Sequence, residues 1–465
     1  MKKPLLLLLI LIGLSATAQK GHQIELNIKN SDDSLMMLAH YFGSKVKIVQ
    51  KTTAHKPGNF IFSGSEPLKE GVYMILDREE SKLFEFLIDQ DQYFSLYTTP
   101  PHYIQSMKVK GSKINKLFFD YLKFNEPLYK QIKKLTYQKE TLDRQSEASK
   151  TTERQIDSLK KVLADYKQKT IHESKNSFLK TLLLATNEIP VPDSVKNAGN
   201  NGIYRYYRDH YWDLFDLSDG RLLRTPIYDQ KVQTYFKQLV PLEPDSVIHA
   251  INTVISKAQP NKEAVSHLVW LFTSEYQNPK YIGFDTVFVY LVDHYFKKMN
   301  IDHTTPSIKK ALEKRADQLR PLLEGKTAPN LILQDTTGSY RSFMSLTNDY
   351  IILLFWDYSC SVCKKEIKTL QKLLKENDRY ELTVFAVNTN SNLDEWKKAI
   401  QSKGMTDWIN VNGTRSVTPD FHQLYLIDST PVIILLDKNK KILAKRLAAK
   451  NVLDFLNLLN RQQRK

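Results

Sequence analysis

Apolar and polar positions alternate with period two near the start of the chain, where Ile24, Leu26 and Ile28 are separated by polar partners. Such alternation predicts a strand buried on one face. Leu35–His40, Lys45–Gln50, Asn59–Ser63, Gly71–Leu76, Leu83–Ile88, Tyr93–Tyr97 and Met107–Lys110 read the same way, punctuated by Gly58, Gly64, Asp77 and Asp89–Asp91. Seven or eight short strands over residues 19–115 predict an all-β sandwich or open barrel. Nothing in this segment gathers acid, base and nucleophile, so it reads as an adaptor or docking domain.

From Lys113 the period changes. Ile114, Leu117, Phe118 and Tyr121 open a helical seam, and Ile156, Leu159, Leu163 and Tyr166 form another. Arg144–Arg154 between them is almost wholly polar, so residues 116–173 are expected to form a helical hairpin or local coiled-coil connector. Residues 174–320 are again helical, with apolar faces at Phe178–Leu183, Ile248–Ile255, Val265–Phe272, Phe284–Met299 and Ile308–Leu319. The aromatic run Tyr204–Phe215 suits a core stripe better than a recognition groove.

A linker at Gly325–Pro329 introduces the last segment, 321–465. A small hairpin is expected around Thr337-Gly338, then a buried strand Ile351–Phe355, a helix Ser361–Leu374, a strand Glu381–Val387 and a helix Leu393–Ser402. After an insertion, Val432–Leu436 and Lys441–Ala444 pair across Asp437–Lys440, and Val452–Leu459 is a terminal helix. This order predicts an α/β domain, a mixed sheet with helices on both faces.

The first eighteen residues stand apart. Lys2 and Lys3 precede the apolar run Leu5–Leu14, and Ala16-Thr17-Ala18 is a small-x-small cleavage site, which together read as a secretory signal peptide. No later run approaches a membrane span, so the mature chain is expected to be soluble and periplasmic. The formal charge of +16 is spread over helices with acidic residues interspersed, without an Arg-rich cluster, which argues against nucleic acid and leaves at most an attraction to anionic envelope components.

Candidate chemistry lies at Cys360 and Cys363, the only cysteines among 465 residues. A lone Cys-x-x-Cys pair where a strand meets a helix is the arrangement of a thiol–disulfide redox site. Structural staples would be spread over several loops, and structural zinc needs four ligands, which no second cysteine pair or nearby His-x-x-His supplies. The chemistry needs no cofactor beyond the dithiol.

With Phe355-Trp356, Cys360-Ser361-Val362-Cys363, Glu366 and Thr430-Pro431 in order, residues 325–463 resemble the thioredoxin superfamily, and within it the exported TlpA/ResA-like thiol–disulfide oxidoreductases bordering the AhpC/TSA group. The whole chain resembles Bacteroidetes envelope proteins with DUF4369-like and DUF5106-like domains upstream. Lys368 replaces a proline frequent in that helix, and the peroxiredoxin pattern is missing, Tyr358-Ser359 standing at the approach to Cys360.

The resemblance implies that Cys360 is the nucleophile, Cys363 the resolving thiol and Pro431 a cis-proline exposing Thr430 backbone groups to substrate. Tyr358 and Ser359 would touch substrate as well. It also implies that Trp356 shields the pair, with a plain core aromatic as the alternative. Glu366 would tune cysteine acidity or carry a proton, with a surface ion pair as the alternative. The implied partners are envelope protein thiols or disulfides and a DsbD/CcdA-like membrane electron donor. A homodimer and a monomer both suit the upstream apolar faces. An envelope scaffold with a redox-regulated domain is the competing function. A place in cytochrome c maturation is a third, although Lys364 after Cys363 excludes a Cys-x-x-Cys-His haem site in this chain.

Overall fold

The computed structural model describes residues 21–197 and 199–463, so the signal-peptide reading lies outside the described residues. The chain divides into two compact units. One runs to Leu239 and includes Lys257–Ala264, and the other comprises Val240–Ser256 and Val265 onward. The helical region is thus shared between two units.

In the first unit, eight strands build two four-stranded sheets: β1 His22–Ile28, β2 Leu35–Phe42, β3 Lys45–Thr53, β4 Asn59–Gly64, β5 Gly71–Leu76, β6 Lys82–Ile88, β7 Tyr93–Thr98 and β8 Lys108–Lys110. Their orders are β4-β1-β7-β8 and β3-β2-β5-β6. Ile24 and Leu26 of one sheet and Leu38, Tyr73 and Phe86 of the other share one core, so the alternation seen in sequence becomes the two inner faces of a sandwich. Gly58 passes so close to Ile28 that a Cβ would lie 2.1 Å from its carbonyl oxygen, and its φ of +72° also requires glycine.

A helical hairpin follows. Helix Lys113–Glu140 is capped by the Ser112 side chain, and its buried Asn115 accepts from Leu87 N–H and donates to Leu87 O, both at 2.7 Å, which ties it to β6. The return helix Glu147–Glu173 packs antiparallel, with Tyr166 stacked on Tyr121 and Phe124. The break is Thr141–Ser146, shorter than the polar run suggested, because Ser146 caps the second helix and residues from Glu147 are helical. In the aromatic run, Tyr211, Trp212 and Phe215 are core residues, whereas the helix Gly199–His210 has no buried residue.

The second unit carries a seven-stranded sheet of order β10-β9-β13-β12-β11-β14-β15. Its strands are β9 Ile332–Asp335, β10 Tyr340–Ser342, β11 Tyr350–Trp356, β12 Leu382–Asn388, β13 Ile409–Ser416, β14 Val432–Asp437 and β15 Ile442–Lys445. Strand β11 is central, parallel to β12 and antiparallel to β14, and Ile351–Trp356 are all fully buried. That explains its unbroken apolar run. The expected insertion contains β13, parallel to β12, which sequence reading did not assign.

Ile352, Leu354 and Trp356 face one layer formed by helices Ser361–Glu376, Leu393–Ser402 and Val452–Gln463. On the opposite face Phe355 packs against Phe421 and Tyr425 of the short helix Phe421–Tyr425. Leu319 and Leu322, at the end of helix Pro306–Leu319 and just beyond it, line a cavity with Val432 and Ile434 on that face.

Candidate functional site

The apolar demand of β11 ends at Trp356, and the next residue is an aspartate that closes a turn. Asp357 Oδ1 accepts from Ser359 N–H at 2.7 Å and from Ser359 Oγ at 2.6 Å, while Cys360 N–H donates to Asp357 O at 3.2 Å. This side-chain-closed turn redirects the backbone from strand to helix. The hydrogen bonds from Ser359 and Asn390 hold the Asp357 carboxyl below its ordinary range, outweighing a partial burial that pushes the other way.

Asparagines buttress the turn from behind. Asn390 donates to Asp357 Oδ2 at 3.2 Å and accepts from Tyr358 O–H at 3.2 Å. Its own carbonyl accepts from Asn388 at 2.6 Å and Asn412 at 3.0 Å, both fully buried, Asn388 at the end of β12 and Asn412 within the adjacent β13. Sequence reading missed these three residues; the signal was the polar alternation Asn388-Thr389-Asn390 after an apolar strand and Asn410-Val411-Asn412 within one.

Cys360 is the N-cap of helix Ser361–Glu376, and its Sγ accepts from Cys363 N–H at 3.1 Å. Unpaired N–H groups at a helix start stabilise negative charge on that sulfur. The sulfur is also 3.6 Å from Thr430 O, across the cis Thr430–Pro431 bond. Cys363 lies one turn further along and is 0 % exposed, within the same core cluster as Trp356 and Ile367. Both thiols are free. Burial, above all, pushes the Cys363 thiol up to about 11, and the adjacent Cys360 adds to this, while a backbone contact with Asp357 and the Thr430 side chain pull the other way. The pair is therefore asymmetric: Cys360 is partly exposed at the helix start, and Cys363 is sealed and protonated.

The remaining expected residues divide. Tyr358 and Ser359 are in the turn, Ser359 exposed, and the Thr430 carbonyl, preceding Pro431, faces Cys360. Trp356 is a fully buried member of the core beneath the pair, its Nε1–H without a partner among the described residues. Glu366 is half-buried, and its Oε2 accepts from Ala449 N–H at 2.7 Å. Among the described residues no group of three metal-ligating side chains is gathered, and no helix is long and apolar enough to cross a membrane.

This geometry agrees with the comparisons. Residues 325–449 match the AhpC/TSA family model, and a thiol–disulfide oxidoreductase ResA of Bacillus subtilis is 25 % identical over 136 residues, 29 % of this chain and 75 % of that protein. Over its C-terminal segment the chain is thus similar to the AhpC/TSA family and to ResA-type thiol–disulfide oxidoreductases. Upstream, residues 22–118 match the domain of unknown function DUF4369 and residues 145–315 match DUF5106. Among solved structures, a domain of a possible thiol-disulfide isomerase from Cytophaga hutchinsonii is 41 % identical, covering 31 % of this chain and 97 % of that one, with a TM-score of 0.29. A thioredoxin-like protein from Bacteroides caccae is 20 % identical, covering 59 % and 98 %, with a TM-score of 0.46. In this chain the C-terminal segment is thioredoxin-like, behind an N-terminal strand-rich part and a helical middle region.

Proposed function

We propose that this chain is a periplasmic thiol–disulfide oxidoreductase that reduces disulfides of envelope proteins. The observation that carries the reading is the asymmetry of Cys360 and Cys363. The Cys360 thiolate attacks one sulfur of a substrate disulfide; that S–S bond breaks, a Cys360–substrate disulfide forms, and the departing sulfur takes a proton. Cys363 then loses its proton and attacks Cys360 Sγ, releasing the second substrate sulfur as a thiol. Two electrons pass to the substrate, and Cys360–Cys363 is left as a disulfide for a membrane electron donor of the DsbD/CcdA kind to reduce.

Thr430 backbone groups beside Pro431 pair with the extended substrate, and Tyr358 and Ser359 contact it from the turn. Trp356 excludes water beneath the pair. Glu366, whose carboxylate accepts from Ala449 N–H, tunes the acidity of the resolving thiol. Equilibration of the couple with dithiothreitol buffers tests the direction. A potential near roughly −270 mV supports a reductase, and one near roughly −120 mV makes the protein an oxidant instead.

A further inference from the structure

A cavity of about 290 Å³ lies on the sheet face opposite the Cys363 layer, walled by the helical region at Leu322 and by Val432 and Ile434 of β14. One wall starts at Val432, the first residue of the strand that leads away from Thr430-Pro431, and the Thr430 carbonyl sits 3.6 Å from Cys360 Sγ. Arg446 occupies the same end of the sheet: its φ is +56°, and Leu447 N–H donates to Ile433 O at 3.3 Å, which holds the Arg446 turn beside the start of β14.

The charges are unequal. Lys445 is taken by Asp285, to which it is ion-paired. Lys280, Arg315 and Arg446 also line the cavity and make no ion pair among the described residues, and the acid nearby is Glu324, whose carboxylate rests against Gly283. Tyr281, 55 % exposed, adds an aromatic edge at the rim. Asp285, another lining residue, is 7 % exposed, and its Oδ1 is buried without a hydrogen-bond partner among the described residues. A buried carboxylate oxygen left unpaired is costly, and an incoming N–H relieves that cost.

We propose that this cavity is a substrate subsite that selects disulfides flanked by acidic residues, the peptide's carboxylates meeting Lys280, Arg315 and Arg446 while one of its N–H groups satisfies Asp285. The subsite deepens the reductase reading above and rests on it. Charge complementarity identifies the occupant as an acidic polypeptide, and continuity with the Thr430 shelf makes it the same chain whose disulfide Cys360 attacks.

The test uses the full chain and three probes: hydroxyethyl disulfide, a disulfide peptide flanked by Asp and Glu, and the same peptide with Asn and Gln. The acidic peptide is expected to show a kcat/KM about tenfold above its neutral twin, equivalent to about 1.4 kcal/mol, with the difference shrinking at high salt. In the double variant Arg315→Glu/Arg446→Glu the preference should invert toward a Lys-flanked peptide, a gain that a damaged fold cannot produce. An acidic-to-neutral ratio of one in the wild type, or an unchanged ratio in the double variant, overturns the subsite and leaves thiol exchange standing. Failure to turn over hydroxyethyl disulfide overturns the exchange reading, and the subsite with it.

Discussion

Resolution of the mixed disulfide should accelerate steeply with pH. Cys363 is 0 % exposed and its thiol is pushed up to about 11, chiefly by burial. A raised thiol pKa means less nucleophile at neutral pH, so the rate climbs as pH rises toward that value and levels only above it. At pH 7 about one Cys363 in ten thousand is ionised, and the fraction grows about tenfold per pH unit, or about a hundredfold between pH 6 and 8. The charge on Cys360 disappears once it is bonded to substrate, but burial, the first cause, persists, so the slope survives in the mixed disulfide. An aromatic disulfide whose thiolate absorbs reports both steps: the first release follows attack by Cys360, and the second follows resolution by Cys363. A plot of the logarithm of the second rate against pH should have a slope near one between pH 6 and 8. A flat profile would refute the reasoning, because it would mean that Cys363 is already ionised or that a neighbouring base removes its proton throughout this range.

Three further outcomes follow from packing and hydrogen bonding. Iodoacetamide under native reducing conditions should label Cys360 well before Cys363, read by peptide mass spectrometry, with equal labelling contradicting the sealed position. Leu370→Ala empties a fully buried site on the active-site helix and should lower unfolding stability by about 2–5 kcal/mol in urea titration. Asn115→Ala leaves the Leu87 N–H and C=O without their side-chain partner and should cost about 2–5 kcal/mol from two unpaired buried groups; a change under about 0.5 kcal/mol would show that water replaces the amide.

The place of the cysteine pair at a strand–helix junction was legible because its signals are local. Ile351–Phe355 is a continuous apolar run, as a central strand buried on both faces must be, and a lone cysteine pair stands where that run gives way to helical spacing. The β sandwich was legible for a similar reason, since Ile24, Leu26 and Ile28 alternate as one inner face. Strand β13 was not. Its Asn410 and Asn412 are buried polar residues whose amides donate to backbone carbonyls of Met405, Trp408 and Asn390, a satisfaction that exists only after folding and looks like a loop in sequence. The cavity was equally hidden, because Asp285, Arg315 and Arg446 come from segments far apart in the chain and each reads alone as an ordinary surface or capping charge. Glu366 was noticed for its spacing from Cys363, but its backbone partner Ala449 lies 83 residues away and no periodicity announces it.

Attack by Cys360 and resolution by Cys363 are distinguished by trapping. Cys363→Ala and Cys360→Ala are each incubated with a disulfide-bonded protein, and the products are resolved by mass without reductant. A stable mixed disulfide through Cys360 is expected in Cys363→Ala and none in Cys360→Ala. Accumulation of an adduct through Cys363 instead, or no adduct in either variant, would contradict it.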